Sequence, residues 1–157
     1  MKRIVLGGGC FWGMEAYFKR FDGVVKTEVG YANGHSVDPT YKAVCTNTTG
    51  YVEVLYVEFE PERITLETIL AHFWKVIDPT SLNKQGGDVG SQYRTGIYFY
   101  DHSDLGVIEA TKKAEQLKYE QPIVTEVESV KSYYPAEEYH QDYLTKNPGG
   151  YCHIKLD

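Results

Sequence analysis

Cys10 stands directly after Gly7-Gly8-Gly9, at the head of a segment that reads as a helix over residues 10–20. Glycine lets a backbone approach a ligand closely, and a helix start offers unpaired N–H groups with about half a positive charge. Both favour a thiolate, and such settings bring a cysteine pKa from ~8.5 into the range ~3.5–7.5. Cys10 is therefore a candidate nucleophile, with a small buried residue beside a glycine turn as the plainer alternative. The triple glycine is not a phosphate cradle, because neither the spaced dinucleotide fingerprint nor a terminal Gly-Lys-Ser/Thr is present.

Glu53 is the second candidate. It falls within residues 51–59, the clearest strand, where Tyr51, Glu53, Leu55, Val57 and Phe59 share one face because alternate side chains point to opposite sides. A carboxyl on an apolar face loses hydration, which raises its pKa and makes it a proton donor near neutrality. The alternative is a partly wet face, or a Lys or Arg partner.

Cys152 lies in the glycine-flanked stretch Asn147-Pro148-Gly149-Gly150-Tyr151-Cys152-His153. A thiol there can travel to meet another, as a resolving cysteine must, unless it is merely incidental. Cys45 follows Ala43-Val44 and reads as buried and inert. The histidines are dispersed without zinc-site spacing, so no metal or cofactor is expected. A cysteine hydrolase pairing Cys10 with His140 stays open, since such partners need not be sequence neighbours.

The elements that would position these residues follow from local pattern. Ile4-Val5-Leu6 reads as a short strand ended by the glycines, and residues 24–31 as another, before an Asn33-Gly34 turn. Thr65 can cap a helix over 65–77 with Leu66, Ile69, Leu70, Phe73, Trp74 and Ile77 on one stripe, stopped by Asp78-Pro79. Residues 80–94 read as a long loop, of the kind that is commonly functional. A strand at 95–100, a helix at 103–119 capped by Ser103, a strand at 123–130 and a short helix at 135–145 opened by Pro135 complete the order. Strands and helices do not alternate strictly. The expected class is α+β, a compact two-layer sandwich with a mixed β-sheet flanked by helices and a coil-rich C-terminal tail.

The 157 residues suit one domain over 1–157. The 16 Lys and Arg against 22 Asp and Glu give a net charge of −6, which argues against a nucleic-acid surface. No apolar run approaches the ~20 residues of a membrane span. Met1-Lys2-Arg3 leads into too short an apolar run for a secretory signal, and an odd count of 3 cysteines suits reduced thiols in the cytoplasm. The 14 tyrosines supply flat apolar walls with hydrogen-bonding tips, useful in a core or a ligand pocket.

Gly9-Cys10-Phe11-Trp12-Gly13 resembles the active-site signature of the A-type peptide methionine sulfoxide reductases, which reverse methionine oxidation. The likeness continues through Gly30-Tyr31-Ala32-Asn33-Gly34, Pro39-Thr40-Tyr41, Thr49-Gly50-Tyr51-Val52-Glu53, Asp78-Pro79-Thr80, the run from Gly87 to Arg94, Glu138-Tyr139-His140-Gln141-Asp142-Tyr143, and Asn147 to His153. The resemblance implies that Cys10 attacks the sulfoxide sulfur while Glu53 protonates the oxygen. It implies that Tyr41 and Tyr93 hydrogen-bond that oxygen, with Asp88 in the same polar network. Phe11 and Trp12 would form the apolar wall that cradles the S-methyl group and admits the S epimer. Cys152 would resolve the Cys10 sulfenic acid, and a dithiol carrier such as thioredoxin would reduce the disulfide. Some relatives carry two cysteines in a longer tail, whereas this chain has one there, so a single resolving step is expected. A cytoplasmic monomer acting on free and peptide-bound methionine S-sulfoxide is the resulting expectation, with a non-catalytic module that binds oxidised methionine as the rival.

Overall fold

The computed structural model describes residues 1–35, 39–46 and 49–147. β-Branched and aliphatic residues at the start of the chain make a central strand, β1 (Lys2–Gly8). β1 pairs antiparallel with β3 (Val52–Phe59) on one side and β6 (Thr95–Phe99) on the other. Beyond β3 lie β2 (Val24–Ala32) and the short edge strand β8 (Tyr133–Pro135), both antiparallel to their neighbours. β7 (Glu126–Ser129) closes the opposite edge parallel to β6, so the six-stranded sheet is mixed, in the order β7-β6-β1-β3-β2-β8.

Strand alternation divides the core. Ile4, Leu6, Leu55, Val57 and Phe59 join the large cluster, which also takes residues from α1 (Phe11–Phe18), α3 (Leu66–Val76) and α4 (Leu105–Gln116). Val5, Val52, Val54, Ala32 and Tyr98 form a smaller cluster on the other face, to which no helix contributes among the described residues. Helices therefore cover one side of the sheet in a two-layer α+β arrangement. Leu6 sits opposite both Leu55 and Ile97, a register that leaves the end of β1 pointing toward Glu53 two residues back along β3. A slip of one residue would turn every one of these side chains to the wrong face.

Several boundaries differ from the sequence expectation. β1 runs through Gly7 and Gly8, and the chain breaks only at Gly9, whose φ of 85° suits glycine. A Cβ on Gly8 would stand 2.6 Å from the Met14 sulfur, so its absence lets α1 lie tightly on the strand. α1 begins at Phe11, with Cys10 as its N-cap. Thr65 caps α3 by accepting the Thr68 N–H at 3.1 Å. Ser103 does not cap α4. Its hydroxyl donates to Asp101, which also accepts the Ser103 N–H at 2.9 Å and caps a 3₁₀ turn, His102–Asp104, ahead of α4. Pro135 ends β8 instead of opening a helix. Its fixed φ suits either role, and an edge strand tolerates the missing N–H. The long loop holds a hairpin of β4 (Lys84–Gln85) and β5 (Asp88–Val89), followed by a 3₁₀ turn, Ser91–Tyr93. Two further short helices are α2 (Tyr41–Val44) and α5 (Tyr143–Lys146).

Side-chain clamps fix the chain after β8. Gln141 accepts the Val29 N–H at 2.9 Å and donates to the carbonyls of Val29 and Ala136. Buried Glu15 accepts the Asp142 N–H at 2.7 Å and the Thr27 hydroxyl at 3.0 Å, holding Asp142 in the left-handed region with φ 52°. Glu15→Ala is expected to lower stability by about 1–3 kcal/mol, because it strands the Asp142 N–H, and a urea titration reads the change.

Candidate active site

The α1 N-terminus lies directly over Glu53. The Phe11 N–H donates to Glu53 Oε1 at 3.4 Å, while Oε2 is buried with no partner among the described residues. Glu53 is 1% exposed and Cys10 7% exposed, so both groups are almost wholly removed from water. Cys10 and Glu53 thus share one enclosed site, reached from the ends of two adjacent strands.

Burial pushes the Glu53 carboxyl up to about 8; the Phe11 N–H opposes this rise and the Asp88 charge adds to it. At neutral pH Glu53 is mostly a carboxylic acid. The Cys10 thiol is raised too, first by burial and then by the Glu53 charge, while the Trp12 and Gly13 amides pull it down without reversing the sign. The lowered thiol pKa expected from the helix start is thus corrected. The helix amides do act on the sulfur, but the loss of hydration outweighs them. In the resting site both sulfur and carboxyl hold their protons.

Three further candidates come from separate segments. Tyr41 opens α2, where Thr40 caps by accepting the Ala43 N–H at 3.1 Å. Tyr93 ends the 3₁₀ turn, and Asp88 belongs to β5. Burial, then the Glu53 charge, raises both phenols above their ordinary value, which keeps them protonated donors. Asp88 acts electrostatically on Cys10, Glu53 and Tyr93. Cys45 also belongs here: its half-buried sulfur is hydrogen-bonded by the Tyr41 hydroxyl and the Gln92 side chain. The expectation that Cys45 is buried is corrected to partial burial. Cys152 lies outside the described residues.

Phe11 and Trp12 enter from the first turn of α1. The Phe11 ring lies 5.8 Å from Tyr31 and 6.3 Å from Tyr41. Glu137 ties these walls together, accepting the Tyr31 hydroxyl at 2.8 Å and the Tyr41 N–H at 3.0 Å. Trp12 stacks on Tyr143 with ring centres 3.8 Å apart, and its indole N–H donates to His140 Nδ1 at 3.0 Å. His140 Nε2 is buried without a partner among the described residues, so neither ring nitrogen is hydrogen-bonded to Cys10. The hydrolase pairing therefore lacks its base. Sequence reading missed Glu137, Gln92 and Tyr143 as site neighbours; only the abundance of tyrosine hinted at so aromatic an enclosure. Among the described residues, no group of three or more His, Cys, Asp or Glu could hold a metal ion.

A thiol whose ionisable neighbours are acids and phenols suits redox chemistry at sulfur and not acyl transfer, and it stands here on a mixed α+β sheet. The chain belongs to the peptide methionine sulfoxide reductase family, whose profile matches residues 2–157. It is 59% identical over 157 residues to peptide methionine sulfoxide reductase MsrA of Alkaliphilus metalliredigens, covering 100% of this chain and 99% of the relative. It is similar to the crystal structure of reduced Mxr1 from Saccharomyces cerevisiae, with a TM-score of 0.93 and 42% identity, covering 99% of this chain and 91% of the other. Similarity extends to Mxr1 in complex with Trx2, with a TM-score of 0.65 and 29% identity, covering 90% of this chain and 84% of the other. No helix among the described residues is long and apolar enough to cross a membrane.

Proposed function

We propose that residues 1–157 act as one catalytic domain that reduces the S epimer of methionine sulfoxide, free or within proteins, to methionine. The observation that carries this reading is the buried, protonated Glu53, with one carboxyl oxygen lacking a partner among the described residues, in the same enclosure as the Cys10 sulfur. A sulfoxide oxygen leaves only after gaining protons, and a buried carboxylic acid beside a thiol supports the reading that Glu53 supplies one.

In the proposed reaction, the sulfoxide oxygen takes the Glu53 proton while Tyr41 and Tyr93 donate hydrogen bonds to it. Asp88 shapes the potential around Cys10, Glu53 and Tyr93. Cys10 gives its own proton to the carboxylate left behind, and its sulfur attacks the sulfoxide sulfur. The S–O bond and the transient sulfur–sulfur bond then break, hydroxyl passes to Cys10 as a sulfenic acid, and methionine leaves two electrons richer. Phe11 and Trp12 form the wall against the methyl group, which fixes handedness. Cys152 then attacks the sulfenic sulfur, water departs, and a Cys10–Cys152 disulfide remains. Thioredoxin, or another dithiol reductant, returns both thiols; the related Mxr1–Trx2 complex supports this partner. A sulfur that must be re-reduced after every cycle suits a reducing compartment, and we place the protein in the cytoplasm, acting as a monomer without cofactor.

Titrating thiols before and after one equivalent of methionine S-sulfoxide, without reductant, tests the reading. Two of the three thiols should disappear; an unchanged count would refute it. Cys152→Ser should still release about one methionine per enzyme in a single turnover yet recycle poorly with thioredoxin. Undiminished multiple turnover would instead assign resolution to Cys45 or to direct attack by the reductant.

A further inference from the structure

We propose that His140 is the positioning residue for Trp12 and, through it, a determinant of which sulfoxide substituent the site accepts; this rests on the reading of Trp12 as part of the methyl-binding wall. His140 is 2% exposed, and its Nδ1 accepts the Trp12 indole N–H at 3.0 Å. An acceptor nitrogen carries no proton, so in the neutral ring the hydrogen sits on Nε2. Burial lowers the His140 pKa below its ordinary value, against the opposing charge of Glu137, which keeps the ring neutral.

Nε2 is buried and has no partner among the described residues, which is an unfavourable way to bury an N–H. A phenyl ring would fill the same space against Phe11, Tyr41 and Tyr139, whose ring centres lie 5.3, 4.3 and 4.2 Å away, without that penalty. What a phenyl lacks is the lone pair that holds the indole. His140 pins one edge of Trp12 while Tyr143, stacked at an interplanar angle of 10°, covers one face. With edge and face both held, the indole cannot turn aside for a larger group.

Kinetics with methionine S-sulfoxide and its ethyl homologue, ethionine S-sulfoxide, test this in the full-length enzyme. His140→Phe keeps a ring but loses the acceptor, whereas His140→Asn keeps an acceptor near the Nδ1 position. The Phe variant should lose roughly 3- to 10-fold in kcat/KM for the methyl substrate, the worth of about one hydrogen bond. Its preference for methyl over ethyl should narrow, while its melting temperature should change little, since the stranded indole N–H offsets the loss of the unpaired Nε2–H. His140→Asn should restore much of both activity and preference. In a Trp12→Phe background, which has no indole N–H, adding His140→Phe should change little. His140→Leu removes the same acceptor should the phenyl variant fail to fold.

A Phe variant with unaltered preference, an Asn variant as impaired as Phe, or additive effects with Trp12→Phe would each overturn the positioning role. If Trp12→Phe itself leaves the methyl preference untouched, the reading of Trp12 as a wall fails, and the role of His140 with it. If Trp12→Phe alters the preference and His140→Phe does not, only the positioning role fails.

Discussion

Glu53→Gln is expected to reduce the rate of methionine S-sulfoxide reduction by about 10²–10⁴-fold, the usual worth of general acid catalysis. The amide has nearly the same shape and keeps an oxygen for the Phe11 N–H, but its N–H is too weak an acid to protonate a departing oxygen. Single-turnover methionine release measures the effect directly, and a variant retaining most of its rate would remove Glu53 from the role of acid. The pH dependence supplies a second reading. Glu53 holds its proton up to about 8, so wild-type turnover should fall as pH rises through that value, and the variant should lack this limb.

The same substitution should make the protein more stable. The Glu53 carboxyl titrates near 8 in the folded chain against an ordinary value of 4.5. A raised folded pKa contributes stability that is complete below 4.5 and lost as pH climbs through 8. The neutral amide of the variant carries no such dependence. Thermal melts should therefore show the variant gaining on wild type between those two values and holding its largest advantage above 8. Increased stability with lost catalysis would mark a residue retained for chemistry at the expense of the fold.

Cys10→Ser should abolish turnover altogether. Sulfur can accept the oxygen atom and become a sulfenic acid; a serine hydroxyl has no corresponding two-electron step. Methionine release should fall to background in the presence of excess dithiol, while competition binding of methionine S-sulfoxide persists. Full retention of turnover would place the reacting sulfur elsewhere, with Cys45 beside Tyr41 as the first position to examine. This variant also distinguishes the enzyme from a non-catalytic binder, which has no turnover to lose.

Local pattern carries much of the architecture. The alternation from Tyr51 to Phe59 is enough to set Glu53 among apolar neighbours, and Thr65 caps α3 as its position implies. The mixed α+β class follows from elements that do not alternate strictly. The direction of the Cys10 pKa is not legible, because helix-start geometry is local whereas depth of burial depends on how Glu53 and the loops close over the sulfur. Pro135 is compatible with a helix start and an edge strand alike, and only its pairing with Gly30 decides between them. His140 lies 128 residues from Trp12, so no spacing along the chain announces their hydrogen bond. The two-residue strands around Asp88 are too short to leave a periodicity.

A resting sulfur that keeps its proton has a consequence for survival under oxidative stress. Hydrogen peroxide reacts with thiolates far more readily than with thiols. Because burial opposes ionisation of Cys10, the proposed nucleophile meets the oxidant that generates methionine sulfoxide in a form that resists it. On the proposed mechanism, reactivity is reserved for the moment a sulfoxide occupies the enclosure, which would let the molecule work in the conditions that damage its clients.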